Sequence, residues 1–379
     1  MRSPVVVALV CAGFVAQSLA QEHPSPRRGY ESTKLTGEKA SLRFYRWGEG
    51  ILLDNVFVNG KGPYRFMLDT GAEGAGRVDK ALAEELNLPI VGQSKSVGLL
   101  GESRAMTNRK IDALTVGGVS FSNVELLSRD YSRDRPRSLR PIHGILGFHL
   151  FNEYLLTIDY PARTLTVARG ELPPPNGRDI LPIISDDEDP EIEISLGGKT
   201  IHAMIDTGAM GPLGVPATAA EGLKFTSEPR ARGRDGDVEL RSATLDGALK
   251  LGALEVQNPD LIIAGRMPMP VVGISILSKF ALTFDQKNDR VRIVQPPARK
   301  RYGLVIATPA DGPPALREIE AGSAAARAGL LATDKLAMLN GRAVTEMDRE
   351  DVLRVLDEPS LTVVVERDGA RKEERLTLE

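Results

Sequence analysis

The sequence predicts a mainly β protein: two copies of one β lobe in a single chain, then a small α+β module. Two observations carry this. The same ordered set of short β-branched segments occurs twice, and proline clusters separate the copies from each other and from a differently patterned C-terminal stretch. At 379 residues, 42% apolar and 26% charged, the chain has the composition of a soluble globular protein with room for two or three domains.

Residues 1–20 read as a secretory signal. Arg2 supplies the positive start, Val5 to Val15 the apolar core, and Ser18-Leu19-Ala20 a small-x-small cleavage site, with cleavage after Ala20. The apolar run is too short to span a bilayer, so no stable membrane anchor is expected after cleavage. Cys11, the only cysteine, lies inside that core, with Val10 where a lipidated cysteine is preceded by a small residue. The mature protein is therefore expected to lack disulfides and to be periplasmic or secreted. The formal charge is −3, or −4 once Arg2 leaves, which gives no electrostatic case for nucleic acid. The basic run Arg129–Arg140 also contains Asp130 and Asp134 and reads as a solvated loop.

Residues 21–44, rich in Pro, Arg and Ser, read as a flexible tether. Pro173-Pro174-Pro175-Asn176-Gly177 and Gln295-Pro296-Pro297-Ala298 are breaks, because consecutive prolines continue neither a ladder nor a helix. The expected units are 45–170, 178–295 and 301–379. Each of the first two opens with a hairpin: Leu53 to Val58 with Tyr64 to Leu68, and Ile192 to Leu196 with Thr200 to Ile205. The second strand of each runs into one tetrapeptide, Asp69-Thr70-Gly71-Ala72 or Asp206-Thr207-Gly208-Ala209. An apolar pair plus glycine follows, Ile145-Leu146-Gly147 or Val271-Val272-Gly273. A closing hairpin ends each copy, Leu156–Asp159 with Leu165–Val167 and Leu282–Asp285 with Val291–Ile293. Lys80 to Leu86 is the best helical stretch. In the third segment, Ser323 to Ala328 reads as a helix stopped by Gly329, and Asn340-Gly341 as a tight turn. Asp348 caps a helix to about Leu356, and a hairpin turns at Asp368-Gly369.

The duplicated aspartates carry the chemistry. Two carboxylates at close range cannot both ionise, so they share a proton; one can then activate water while the other protonates a leaving group. The glycine permits a tight turn that brings backbone amides to the carboxylate, and the threonine hydroxyl can bond across to the other lobe. One Asp-Thr-Gly is often only a turn. Two, each after an apolar strand and each followed by an apolar-apolar-glycine strand, form a specific pattern.

Over about 45–295 the sequence resembles the retropepsin-like aspartic proteases. The resemblance implies a closed β-barrel-like lobe per copy, Asp69 and Asp206 as the catalytic dyad, and Thr70 and Thr207 as interlocking hydroxyls. Gly71, Ala72, Gly208 and Ala209 complete the active-site loops. With both halves in one chain, dimerisation is not required. Family members cover the substrate with a glycine-bearing flap. Gly98, Leu99 and Gly101 fit that place in the first lobe, and the more polar Gly233-Arg234-Asp235-Gly236 in the second. Ala72 and Ala209 stand where acid-adapted relatives carry a hydroxyl that favours the ionised carboxylate, so a mildly acidic to neutral working range is expected.

The third segment resembles a bacterial-type PDZ domain through Gly322-Ser323-Ala324-Ala325, Ala328-Gly329-Leu330, Asp334 and Asn340-Gly341, with Thr333 in place of the usual glycine before Asp334. Such domains capture chain ends or extended segments by strand addition; Tyr302, Gly303 and Leu304 hold the place of the carboxylate-binding loop. The expected partners are protein or peptide substrates and a C-terminal or extended peptide. No cofactor or metal is expected: His143, His149 and His202 lack metal-ligand spacing. The rival reading is a catalytically silent peptide-binding scaffold. A two-carboxylate glycoside hydrolase is remoter, because it would not need duplicated threonines and glycines, and Trp47 is the only tryptophan.

Overall fold

The computed structural model describes residues 29–47, 50–72, 74–97, 103–131, 140–184, 189–235, 238–297, 301–309 and 312–378. The expected signal segment and most of the basic run lie outside them. Strands account for 53% of residues and helices for 11%, as a mainly β reading requires. The chain divides into two compact units: one of the first 44 residues, 48–135 and 141–297, the other of 45–47, 136–140 and 298–379.

In the first lobe, β-branched and aromatic residues on alternating positions build a ring. Val119–Arg129 pairs with Gly76–Asp79, then Gly144–Gly147, Lys61–Asp69, Gly50–Val58 and Ser103–Val116, which returns to Val119–Arg129. Closure buries the inward positions of every strand, among them Val56, Phe66, Leu114, Phe121 and Leu146.

The second lobe repeats the order Val271–Val272, Lys199–Ile205, Glu191–Leu196, but its two long strands are each broken. Gly247 (φ 149°) separates Val238–Thr244 from Ala248–Leu251. Asn258 (φ 45°), followed by Pro259, separates Leu254–Gln257 from Asp260–Ala264. The pieces still pair as the unbroken strands do, Leu240 with Ala264 and Leu251 with Leu254. Turn residues thus divide the strands while leaving the pairing that forms the lobe.

A six-stranded sheet joins the copies, in the order Ile180–Pro182, Arg290–Val294, Ala281–Asp285, Leu155–Asp159, Thr164–Ala168, Lys39–Arg43. Its two central strands come one from each copy, and Thr157 lies opposite Thr283 with their hydroxyls 2.9 Å apart. Equivalent residues meeting this way mark a local two-fold relation between the lobes.

The expected tether over 21–44 is corrected from residue 29 on. Ser32–Leu35 pairs with Val119–Arg129, and Lys39–Arg43 forms the edge of the joining sheet. Tyr30 and Leu35 are buried in the core. Alternating apolar residues too few to stand out in a polar context are enough to add a strand to an edge that already exists.

The second unit has its own core, including Leu316, Leu339, Val352, Leu361 and Val363. Ser323 caps the short helix Ala324–Arg327, and Gly329 has φ 70°. Asp348 and Asp351 form a reciprocal capping box on Arg349–Leu356. On that helix Val352 is buried, while Leu353, Val355 and Leu356 are partly buried. Residue 140 belongs to this unit, and its guanidinium bonds Asp348 and Asp351, each at 2.8 Å. The solvated-loop reading therefore fails at Arg140, because acidic residues gathered at the helix N-terminus pair with it.

Asp334 locks the loop after the short helix. Its fully buried carboxylate takes a two-pronged bond from Arg367 and accepts from the Leu331 amide at 2.9 Å. The Arg367 bond, then that amide, hold its pKa below the usual range. A depressed carboxylate stabilises the fold above its unfolded value of about 3.9 and loses that contribution as pH falls through the folded value. Asp334→Asn is expected to cost about 2 kcal/mol at neutral pH and progressively less in acid, read by urea denaturation of the full chain. An unchanged midpoint at pH 7 would contradict this.

Candidate active site

Asp69 ends the strand Lys61–Asp69 and lies opposite Gly147 of the parallel strand Gly144–Gly147. Asp206 follows Lys199–Ile205, and its amide donates to the Val272 carbonyl at 3.1 Å. The two strands therefore end at equivalent places in the two lobes. The glycine of each apolar-apolar-glycine motif is needed where the loop after the aspartate crosses it. A methyl group on Gly147 would lie 2.5 Å from the Gly74 carbonyl oxygen, and one on Gly273 would lie 2.6 Å from those of Gly211 and Pro212.

The threonines interlock reciprocally. The Thr70 hydroxyl donates to the Ile205 carbonyl at 2.6 Å and accepts from the Thr207 amide at 3.0 Å. The Thr207 hydroxyl donates to the Leu68 carbonyl at 3.1 Å and accepts from the Thr70 amide at 2.9 Å. All four bonds are buried and cross between lobes, so each loop is positioned by the other. The glycines that follow lie over the opposite carboxyl group: a methyl on Gly71 would be 2.7 Å from Asp206 Cγ, and one on Gly208 would be 2.4 Å from Asp69 Cγ.

Both aspartates are fully buried. Burial first, then repulsion by Asp206, pushes Asp69 well above the carboxylate range, and Arg77 opposes this. Burial also raises Asp206, but less is left after the amides of Gly208 and Ala209, the bond to Asp69 and the Arg77 charge favour its anion. The hydrogen bonds show the same imbalance. Asp206 Oδ1 accepts from Gly208 at 2.7 Å and Ala209 at 3.1 Å, whereas among the described residues Asp69 Oδ1 accepts from one amide, that of Gly71, at 2.9 Å. Both carboxyls are raised by burial and coupled to each other, so the pair titrates as a unit.

The structure brings together Asp69, Thr70, Gly71, Ala72, Asp206, Thr207, Gly208 and Ala209. The flap expected at Gly98, Leu99 and Gly101 lies outside the described residues; on either side of it Ile90–Val97 and Ser103–Val116 pair antiparallel up to Val97 opposite Ser103. In the second lobe Arg230–Asp235 and Val238–Thr244 pair up to Asp235 opposite Val238, with a bulge near Gly233; Gly236 lies outside the described residues. Tyr302, Gly303 and Leu304 sit in the second unit. The carbonyls of Tyr302 and Gly303 accept from the amides of Ala325 and Glu320, and Gly303 has φ 74°.

Sequence reasoning missed Arg77, a fully buried arginine whose charge acts on both aspartates. Its signal was the comparison of the copies: eight residues after Asp69 stands Arg77, and eight after Asp206 stands Gly214. Tyr160 was missed too. It is buried, and both aspartates add to the rise in its pKa.

A double lobe whose twin Asp-Thr-Gly loops interlock across a local two-fold is the architecture of the retropepsin-like aspartyl proteases, here with both lobes in one chain. The aspartyl protease family model matches residues 55–150 and again 192–276, one match per lobe, and the PDZ domain model matches 291–366. The chain thus carries an aspartyl protease-like double lobe followed by a PDZ domain. Among curated proteins, nothing matches it.

Proposed function

We propose that the protein is an exported aspartic endopeptidase that hydrolyses peptide bonds with water activated between Asp69 and Asp206, without dimerising to complete its site. The observation that carries this reading is the buried carboxyl pair held by four reciprocal threonine bonds. Asp206, its anion favoured by two amides, takes a proton from water as the water attacks the scissile carbonyl. Asp69 gives its proton to the developing oxyanion, and the dyad then protonates the departing nitrogen. The leader sequence supports a periplasmic or secreted location. The PDZ domain supports a role in holding protein substrates by a chain end or an extended segment.

The test is to incubate the full chain with an unfolded protein at several pH values, with and without a pepstatin-like transition-state inhibitor, and identify the products. Inhibitor-sensitive internal cleavage is the expected result. Binding without cleavage would favour a silent peptide-binding scaffold.

The upward displacement of both carboxyls sets the pH expectation. The dyad works while it holds one proton, so raising both titrations moves that window up. The maximum of kcat/KM is expected in mildly acidic to neutral solution. A maximum at about pH 2–3, between the two titrations of an acid-adapted dyad, would contradict it.

A further inference from the structure

We propose that Arg77 is the buried counter-ion that keeps the carboxyl pair singly ionised, a positioning residue acting through Asp69 and Asp206. Strand register places it. Arg77 lies opposite Ile145, and Ile145 opposite Met67, two residues before Asp69. Residues paired across neighbouring strands share a face, as do residues two apart on one strand, so Arg77 and Asp69 lie on the same face of the sheet.

The second lobe has the same register with a different residue. Gly214 lies opposite Val271, and Val271 opposite Met204, two residues before Asp206. A methyl on Gly214 would meet Met267 Cε at 2.8 Å, so methionine fills there what arginine fills in the first lobe. Met267 belongs to an apolar cluster with Met204, Ala209 and Val271. The duplication is therefore broken at one position beside the dyad, and the break introduces a charge.

That charge answers a physical need. Both carboxyls and Arg77 are at 0% exposure. A buried anion is costly unless a buried cation compensates it. Two aspartates sharing one proton carry one negative charge, and Arg77 brings the group to neutrality. Without it, the cheapest way to neutralise the pair is a second proton, which removes the base that activates water.

The other titratable groups around this cluster are Tyr131, Tyr160, Arg129, Asp79 and His143. Burial pushes the Tyr131 phenol up to about 12 and Tyr160 well above its usual value. The Arg129 guanidinium stacks over the Tyr131 ring at 5.3 Å. Asp79 is held by the amides of Ala81 and Tyr131. His143, which accepts the Arg65 amide, is pushed down by burial.

This inference rests on the proposed proteolytic reading, so its test has a readout independent of turnover. In the full chain, the Asp69 and Asp206 carboxyl carbons would be followed by NMR against pH in wild type, Arg77→Met, Arg77→Gln and Arg77→Lys, beside kcat/KM profiles. Arg77→Met and Arg77→Gln are expected to move the first deprotonation of the dyad, and the acid limb of the rate profile, up by about 1–2 pH units. At a fixed pH below that limb, each unit is a roughly tenfold loss of rate. Arg77→Lys is expected to restore most of the wild-type titration. A folded Arg77→Gln protein whose carboxyl titration matches wild type overturns the proposal, even if it is less stable. If Arg77→Met does not fold, Arg77→Gln decides. If the wild type cleaves nothing, the proteolytic reading fails while the carboxyl titration still decides whether Arg77 is the counter-ion.

Discussion

Asp206→Asn is expected to reduce cleavage of an unfolded protein by roughly 10²–10⁴-fold, the usual cost of losing an acid–base group, and Asp69→Asn by a similar factor. Neither amide can hold and return the shared proton. Asn at 206 keeps the shape that accepts the Gly208 and Ala209 amides but has no charge with which to take a proton from water. Asn at 69 leaves the base without its acid. The two variants differ from simple damage in the sign of their effect on stability. Asp69 has a raised pKa in the fold, so it lowers stability progressively as pH rises from its unfolded value of about 3.9 towards its folded one. Asp69→Asn is therefore expected to be at least as stable as wild type at neutral pH while nearly inactive. Parallel urea denaturation and cleavage assays check this. Unchanged cleavage in both variants would end the enzymatic reading.

Thr70→Val is expected to destabilise the double lobe by about 2–6 kcal/mol. The substitution keeps the volume and removes the hydroxyl, which leaves two fully buried backbone groups without that partner: the Thr207 amide and the Ile205 carbonyl. Each orphaned group costs about 1–3 kcal/mol. Thr207→Val does the equivalent to the Thr70 amide and the Leu68 carbonyl. The two single losses are expected not to add, because each hydroxyl helps place the backbone that the other bonds. Thr70→Ser, which retains the hydroxyl, is expected to recover most of the stability. A Thr70→Val midpoint within about 0.5 kcal/mol of wild type, the range of an inert surface change, would show that the interlock is not what holds the loops. Cleavage should fall with stability here, because the same bonds set the distance between the carboxyls.

Residue order alone made the dyad legible. Asp-Thr-Gly after an apolar strand and the later apolar-apolar-glycine strand are local patterns, and their repetition in register 137 residues apart exposed the pair. The PDZ-like module was legible for a similar reason. Its helix caps and turns at Ser323, Gly329, Asn340-Gly341 and Asp348 are short-range backbone requirements written in residue type.

What was misread depended on partners distant in the chain. Ser32–Leu35 and Lys39–Arg43 look like tether because their few apolar residues acquire meaning only beside the strands Val119–Arg129 and Thr164–Ala168. Arg140 reads as one charge in a basic run until the fold sets it beside Asp348 and Asp351.

By itself, then, the sequence determined the duplicated mainly β plan, the twin aspartates with their threonines and glycines, and the separate C-terminal module, all set by local conformational preference and repetition. Only the tertiary structure decided that the two carboxyls are fully buried, that Asp206 accepts from two backbone amides and Asp69 from one, and that Arg77 shares the sheet face of Asp69. Burial and electrostatic coupling depend on which distant groups are brought into one low-dielectric interior, and no spacing along the chain encodes that.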